Sequence, residues 1–134
     1  MKHNACAILL EDRRILLGKR APYRRSYANR WDVIGGKVGE GETVGEALAR
    51  KLTEEIGVVP TAYESLGVIV DHDPETGDAS TNHMFVVIAW TGGPPIIRDN
   101  EHSTLAWFTV EEACALRDLA LPEYRALFRS ITIP

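Results

Sequence analysis

The first third of the chain alternates short apolar stretches with polar turns. Apolar residues recur with the two-residue period of a half-buried strand, and polar residues or glycines interrupt them. The pattern predicts strands over residues 4–10, 14–19 and 31–34, a turn at 11–13, a polar loop over 22–30 and a glycine-rich loop at 35–41.

Residues 43–56 carry the strongest helix pattern in the chain. Thr43, with Glu46 three residues later, has the spacing of a capping box, in which each side chain accepts a hydrogen bond from the other residue's backbone. Gly57 lies where helices commonly end in a left-handed glycine. We therefore predict a helix over 43–56 with both ends capped.

The remainder of the chain predicts a hairpin, a short strand and two more helices. The strands are expected over residues 62–71, 83–90 and 105–108, and the helices over about 109–116 and 122–130. Pro122 is a favoured first residue for the last helix. No repeat or linker interrupts this order, which predicts one α/β domain over residues 1–134 with a mixed sheet.

Composition is that of an ordinary globular protein. The 134 residues are 45% hydrophobic and 25% charged, with a formal net charge of −4. This acidic balance argues against a nucleic-acid polymer or a membrane as partner. The longest apolar run, residues 84–90, is far shorter than the ~20 residues of a membrane-spanning helix. With two cysteines and no signal-peptide pattern, we expect a cytoplasmic protein without disulfides.

Basic residues are concentrated in one part of this acidic chain. Seven of the fifteen lysines and arginines lie within residues 13–30: Arg13, Arg14, Lys19, Arg20, Arg24, Arg25 and Arg30. Such a segment suits a small anionic ligand. The alternative is that most of these side chains are solvated strand and loop charges.

Some charged residues of the predicted helix fall on its apolar side. At about 100° per residue, the apolar stripe consists of Val44, Leu48 and Leu52. Lys51 and Glu55 fall inside the same sector, and Glu54 falls at its edge. Carboxylates directed towards a core need a charged partner or a metal ion such as Mg²⁺. The alternative is a rotated helix in which Lys51 pairs with both glutamates at a half-exposed edge.

The same region matches a longer motif, G-x5-E-x7-R-E-U-x-E-E-x-G-U, in which U is a bulky aliphatic residue. The matching residues are Gly36, Glu42, Arg50, Leu52, Glu54, Glu55, Gly57 and Val58. This motif is the signature of the Nudix hydrolases, which the chain resembles, and segments around it resemble the MutT-like phosphohydrolases of nucleoside triphosphates. The resemblance implies the Nudix fold, an α/β/α sandwich around a mixed β-sheet.

The resemblance also implies a metal site. Glu54 and Glu55 resemble metal ligands, helped by the carbonyl of Gly35 in the loop. Glu101 resembles a further glutamate that binds a metal or takes the proton of the attacking water. The implied cofactor is Mg²⁺, with Mn²⁺ as an alternative, and the implied activity is a magnesium-dependent nucleotide pyrophosphohydrolase.

Other matched residues are expected to support this site. Glu42 and Arg50 resemble the pair that orients the acidic cluster. Among the histidines, only His102, next to Glu101, is expected near the site, and the alternative is a histidine on a surface loop.

The substrate implied by the resemblance is a small nucleotide. Arg20 and Lys37 match positions that contact the phosphate chain, and the likeness around Asn29 favours a nucleoside triphosphate over other nucleoside diphosphate derivatives. The ring of Trp31 could stack on a base, although most aromatics in strands are core residues. A homodimer is implied by the resemblance alone.

One signature position departs from the family. Lys51 stands where the family has a glutamate that usually binds metal and often acts as the general base. A protonated lysine cannot do either, and its charge disfavours a divalent ion nearby. Three interpretations remain: Glu101 is the base of a slower enzyme, the domain is a catalytically inactive nucleotide-binding or regulatory module, or the residue is an engineered substitution that traps an inactive protein.

Overall fold

The computed structural model describes residues 2–134, which form seven strands and three helices. The strands are β1 (Lys2–Glu11), β2 (Arg14–Arg20), β3 (Trp31–Asp32), β4 (Ile34–Lys37), β5 (Val59–His72), β6 (Ala79–Thr91) and β7 (His102–Phe108). The helices are α1 (Val44–Ile56), α2 (Val110–Ala115) and α3 (Tyr124–Arg129). The predicted α/β class is confirmed.

Strand β1 lies at the centre of the sheet. The strand order is β3-β2-β1-β6-β5, with β4 also paired to β1 and β7 to β2. Along most of its length β1 runs parallel to β6. On its other side it pairs antiparallel, first with β4 and then with β2. The predicted mixed sheet is therefore confirmed.

Side chains of β1 alternate between two hydrophobic layers, as the pleat of a strand requires. The first layer, which includes the buried face of α1, contains Ala5, Ala7 and Leu9. The second layer, which includes residues of α2 and α3, contains Cys6, Ile8 and Leu10. Helices thus cover both faces of the sheet, which is the α/β/α sandwich that the resemblance implied.

The glycine-rich segment differs from its prediction. The expected strand over 31–34 changes partner at Val33, because β3 pairs with β2 whereas β4 pairs with β1. Gly35 and Gly36 therefore belong to a strand rather than to a loop. Gly35 has φ 150°, and a Cβ there would overlap the carbonyl oxygen of Ala5. Only glycine allows β4 to approach β1 so closely at this point.

The ends of α1 follow the sequence prediction. Thr43 Oγ1 accepts from the Glu46 N–H at 3.1 Å, Glu46 Oε1 accepts from the Thr43 N–H at 2.9 Å, and Gly57 adopts φ 72°. The prediction for the last helix is wrong by two residues, since α3 begins at Tyr124. The N–H of Arg125 bonds to the carbonyl of Pro122, three residues back, so a tight turn precedes the helix.

The predicted hairpin is confirmed and is longer than expected. Strands β5 and β6 pair antiparallel from Val59 opposite Thr91 to His72 opposite Ala79. Among the helices of residues 2–134, none combines the length and the apolar character needed to cross a membrane.

Candidate active site

Helix α1 carries charged side chains on the face that packs against the sheet. Glu55 is 2% exposed and is buried with Leu48 and Leu52. The side chain of Lys51 is 17% exposed, whereas that of Glu54 is 52% exposed. The prediction that Glu55 points in the direction of the core is confirmed.

Arg50 connects α1 to the segment that precedes it. Its Nε and Nη2 donate to the two carboxylate oxygens of Glu42 at 2.7 and 2.9 Å, and its Nη1 donates to Glu54 at 3.2 Å. Its Nη2 also donates to the carbonyl of Lys37 at 3.0 Å. The hydrogen bonds from Arg50 and from the Gly39 N–H lower the pKa of Glu42 to about 2. The structure thus brings Glu42, Arg50 and Glu54 together.

Lys51 lies between the two glutamates of α1. Its Nζ is 3.6 Å from Glu55 Oε2 and 3.9 Å from Glu54 Oε2. Its stem passes over Gly36, where an added Cβ would lie 2.6 Å from Lys51 Cε. The rotated-helix alternative is wrong about Glu55, which is buried rather than at a half-exposed edge. The ammonium group nevertheless pairs with both carboxylates, as that alternative predicted.

Glu55 is a buried carboxylate without hydrogen bonds. Within residues 2–134, neither of its oxygens has a hydrogen-bond partner. Burial raises the pKa of Glu55 to about 8, the Lys51 ammonium opposes this rise, and the carboxylates of Glu101 and Asp99 add to it. A carboxylate in this setting needs a proton or a further cation.

Asp99 and His102 complete the surroundings of Glu55. His102 Nδ1 lies 3.3 Å from Asp99 Oδ2 and 3.9 Å from Glu55 Oε1. The His102 side chain is 4% exposed, so the alternative of a surface histidine is wrong. Sequence reasoning noticed His102 through its neighbour Glu101 but missed Asp99, which no motif marks.

A polar cavity of about 340 Å³ lies beside β4. Predicted site residues in its lining are Arg20, Gly35, Lys37 and Glu101. Gly36 and His102 also line the cavity. Gly36 lies next to the Lys51 side chain, and His102 lies next to Glu55, so both connect the cavity to the charged residues of α1. The predicted site residues of α1, which are Arg50, Lys51, Glu54 and Glu55, lie outside the lining.

Glu101 is ionised and paired. Its Oε1 lies 2.9 Å from Arg24 Nη1, and both side chains are about one-third exposed. Burial acts to raise the pKa of Glu101, but the Arg24 guanidinium outweighs it and the pKa is lowered. Arg24 was counted among the basic residues of 13–30 without a specific role, and the structure places it in the cavity lining.

Arg20 faces an acidic partner inside the cavity. Its Nε donates to the carbonyl of Ser26 at 2.8 Å, and its Nη1 lies 3.6 Å from Asp32 Oδ2. Asp32 also accepts from the Tyr124 hydroxyl at 2.7 Å. Burial raises the pKa of Asp32 against these contacts. The charge of Arg20 is therefore only partly available to a phosphate.

A chain of polar side chains forms another part of the lining. Asn4 donates to Asn82 at 2.9 Å, Asn82 donates to Asp71 Oδ1 at 2.9 Å, and the Tyr27 hydroxyl donates to Asp71 Oδ2 at 3.1 Å. Sequence reasoning missed Asn4, Asp71 and Asn82. The available signal was a polar residue inside an otherwise apolar strand, such as Asn82 in β6.

Asn29 and Trp31 are not part of the cavity lining, and their role in substrate binding stays a prediction. Trp31 packs edge-on against Phe108 with ring centroids 5.0 Å apart, and Lys19 Nζ lies 5.9 Å from its ring centroid. Asn29 is exposed in a turn with φ 61°, where its N–H donates to the carbonyl of Arg20 at 3.0 Å. Core packing and turn geometry account for these two residues.

Comparison with known proteins agrees with this architecture. A family model described as the NUDIX domain matches residues 1–130. The chain belongs to the Nudix family. Its MutT-like Nudix relatives include the CTP pyrophosphohydrolase of Escherichia coli (strain K12), which is 34% identical over 108 residues, 80% of this chain and 75% of that protein.

Further Nudix relatives extend the comparison. The oxidized purine nucleoside triphosphate hydrolase of Mus musculus is 29% identical over 106 residues, 78% of this chain and 64% of that protein. The crystal structure of a MutT NUDIX hydrolase from Burkholderia pseudomallei superposes with a TM-score of 0.84 at 27% identity, over 98% of each chain. The Nudix fold is therefore confirmed, and family membership supports a hydrolase of nucleoside diphosphate derivatives.

Nudix hydrolases generally use a divalent metal ion, and the donor groups of this chain fit one. The fit rests on Glu55, whose two buried oxygens have no hydrogen-bond partner within residues 2–134. Glu54 supplies a second carboxylate from the same helix. An ion between these two carboxylates would have to displace the Lys51 ammonium, which lies within 4 Å of both.

Proposed function

We propose that this Nudix chain is a Mg²⁺-dependent pyrophosphohydrolase of nucleoside triphosphates, with Mn²⁺ as an alternative cofactor. The observation that carries the proposal is the buried carboxylate of Glu55, whose oxygens accept no hydrogen bond from residues 2–134, near a cavity whose lining includes Arg20, Arg24 and Lys37. The names of the E. coli and mouse relatives support CTP and oxidised purine nucleoside triphosphates as candidate substrates. A cytoplasmic location and a homodimer stay predictions.

Basic residues of the cavity would bind the phosphate chain. Lys37 is the cavity lysine, and no acidic side chain is paired with it among the described residues. Arg20 and Arg24 lie in the same lining but share their charge with Asp32 and Glu101. We assign phosphate binding mainly to Lys37, with the arginines as secondary contacts.

The acidic residues would prepare the attacking water. The bonds between Glu42 and Arg50 hold the Glu54 carboxylate in place. Glu101, whose carboxylate is paired with Arg24, accepts the proton of the attacking water. The water oxygen attacks phosphorus, and the bridging P–O bond breaks. Glu54, Glu55 and the Gly35 carbonyl would hold the divalent ion, which would neutralise the phosphate oxygens. The products are a monophosphate and pyrophosphate, or a second phosphate-bearing compound.

Lys51 sets the level of this activity. Its ammonium lies 3.6 Å from Glu55 and takes a position that suits a cation. It therefore competes with the divalent ion and removes the carboxylate that the family signature has there. We infer a slow hydrolase in which Glu101 serves as the base.

The test is phosphate release from a nucleotide panel with Mg²⁺ or Mn²⁺, using this chain and Lys51→Glu side by side. The panel includes CTP and an oxidised purine nucleoside triphosphate. We expect turnover by both proteins and an increase of about 10²-fold or more in Lys51→Glu, because a carboxylate replaces the competing charge. Glu55→Gln is the matched control and should abolish turnover in either background.

Each other result has a definite meaning. Turnover by Lys51→Glu alone would assign this chain to the inactive nucleotide-binding alternative. Silence from both proteins on the whole panel would contradict the triphosphate assignment.

A further inference from the structure

Three potential metal ligands converge behind the C-terminal end of α1. Glu55, Asp99 and His102 each place one ligand atom within 4.8 Å of the others. His102 Nδ1 is 3.3 Å from Asp99 Oδ2 and 3.9 Å from Glu55 Oε1. In a tetrahedral site with bonds of about 2.1 Å, ligand atoms lie roughly 3.4 Å apart. The distances from His102 Nδ1 to the two carboxylate oxygens are therefore close to the spacing that a single ion requires, and the two carboxylates lie within 4.8 Å of each other.

Two of these three atoms have no hydrogen-bond partner. Glu55 Oε1 and Asp99 Oδ2 are both buried and accept no hydrogen bond from the part of the chain that the structure describes. Lys51 does not compensate for them, because its Nζ approaches the other oxygen of Glu55, Oε2. Buried carboxylate oxygens without partners are costly unless a cation neutralises them. Glu55 thus offers Oε1 to a second cation, on the side of Asp99 and His102.

The imidazole is held in place by its neighbours. A Cβ on Gly18 would lie 2.6 Å from His102 Cδ2, so the ring packs directly on the backbone of β2. The same ring lines the polar cavity beside β4. Packing on the glycine backbone fixes the plane of the ring and directs Nδ1 towards the two carboxylates.

The two chain segments that carry the ligands are joined by their backbones. The N–H of Ile96 donates to the carbonyl of Ile56 at 3.1 Å, and the N–H of Arg98 donates to the carbonyl of Glu55 at 2.8 Å. These bonds satisfy carbonyls at the end of α1 that the helix itself leaves free. The ligand cluster is therefore formed by two segments that are already fixed to each other.

We propose that Glu55, Asp99 and His102 form a buried site for a transition-metal dication of the Zn²⁺ type. One imidazole and two carboxylates suit Zn²⁺ or Co²⁺, whereas Mg²⁺ prefers oxygen ligands alone. The site differs from the position between Glu54 and Glu55 that the proposed reaction uses. A bound ion would clamp residues 96–102 to the end of α1.

A second histidine pair must be removed before this site can be measured. His3 Nδ1 and His83 Nε2 lie 3.0 Å apart at the surface and could bind the same metals. All measurements are therefore made in a His83→Gln background. The probes are Zn²⁺ and Co²⁺ alone, without nucleotide, followed by calorimetry and by the visible absorption of bound Co²⁺.

We expect one ion per chain and a higher Tm with metal. In that background, His102→Gln and Asp99→Asn should each weaken Zn²⁺ affinity. Loss of an outer-shell partner costs roughly 10–100-fold, and we expect loss of a direct ligand to cost at least as much. Glu111→Gln is the matched control and should leave Zn²⁺ affinity unchanged, because Glu111 is an exposed residue of α2 outside this cluster and outside the proposed Mg²⁺ site. Asp99→Asn preserves the shape of the side chain, so its result stands even if His102→Gln fails to fold.

Two results would overturn the proposal. The first is the absence of Zn²⁺ and Co²⁺ binding in the His83→Gln chain. The second is equal Zn²⁺ affinity in the His83→Gln chain and in its Asp99→Asn variant. The proposal does not rest on the proposed hydrolysis, because its readout is metal binding. Loss of nucleotide turnover with Zn²⁺ binding intact would count against the hydrolysis alone.

Discussion

Gly35 and Gly36 are neighbours in β4, but their missing side chains leave room for different groups. At Gly35 the space is filled by the backbone carbonyl of Ala5, which cannot move without disturbing β1. At Gly36 it is filled by the end of the Lys51 side chain, which is flexible. Gly35 is therefore required by the sheet, whereas Gly36 only leaves room for a side chain that can move.

This contrast predicts different costs for two equivalent substitutions. Gly35→Ala should lower the free energy of unfolding by roughly 3 kcal/mol or more, because a backbone overlap and an unfavourable φ act together. Gly36→Ala should cost less than about 1 kcal/mol, because Lys51 can swing away. Urea unfolding of the two variants measures both values, and equal losses would show that the space at Gly36 is as rigid as that at Gly35.

Glu42 provides a prediction about pH. Its hydrogen bonds from Arg50 and from Gly39 N–H lower its pKa from 4.5 to about 2. A lowered folded-state pKa means that the contribution of the carboxylate is complete above pH 4.5 and is lost as pH falls towards 2. The stability difference between this chain and Glu42→Gln should therefore be constant from neutral pH down to about 5 and should shrink below that.

Unfolding midpoints for the two proteins across this pH range measure the difference. Arg50→Lys is a useful companion, because it keeps the charge but loses the two-pronged contact with Glu42. A stability difference that changes between pH 6 and pH 8, roughly, would mean that another group, rather than Glu42, carries the effect.

The caps of the helices lead to a prediction at the level of elements. Thr43 on α1 and Thr109 on α2 form the same reciprocal capping box with the glutamate three residues later. Thr43→Ala and Thr109→Ala should therefore each lower the free energy of unfolding by about 1 kcal/mol. Serine at either position should restore most of that loss, since its hydroxyl can accept the same hydrogen bond. A Thr43→Ala variant as stable as the parent would contradict the capping assignment.

Elements with local signals were predictable from the sequence. The caps and the charged face of α1 depend on residues within one helix, so Thr43, Gly57 and Glu55 could be placed without knowledge of the fold. Strand β4 could not be placed correctly. Its two glycines are typical of a loop, and only the close approach of β1 makes them strand residues.

The cluster around Glu55 needed tertiary information. Asp99 and His102 reach it because residues 96–98 bond to the carbonyls at the end of α1, a contact that no local pattern encodes. The same limit explains Trp31, where the sequence shows an aromatic strand residue but does not show which face of the sheet it occupies. Its ring packs against Phe108.

The central position of β1 leads to a prediction about how substitutions in the core affect unfolding of the whole molecule. Ile8 and Leu9 are adjacent, fully buried, and belong to opposite hydrophobic layers. Ile8→Ala and Leu9→Ala should each cost about 2–5 kcal/mol, because each leaves a cavity in a packed layer. Unfolding should remain a single transition in both variants, because the two layers share this strand.

Val70→Ala in β5 is the control for these two variants. Val70 is 51% exposed, so its truncation should change stability by no more than about 0.5 kcal/mol. Circular dichroism and tryptophan fluorescence should give coincident unfolding curves for all three variants. Separate midpoints in Ile8→Ala or Leu9→Ala would mean that one layer unfolds without the other.

The parallel pairing of β1 with β6 also has a consequence during synthesis on the ribosome. The side chains of Asn4 and Asn82, which bond across this pair, are 78 positions apart in the sequence. Strand β1 is thus translated well before its parallel partner β6. Until then the apolar residues of β1 have no strand to cover them on that side, so the nascent chain is expected to depend on chaperones or on rapid translation to avoid aggregation.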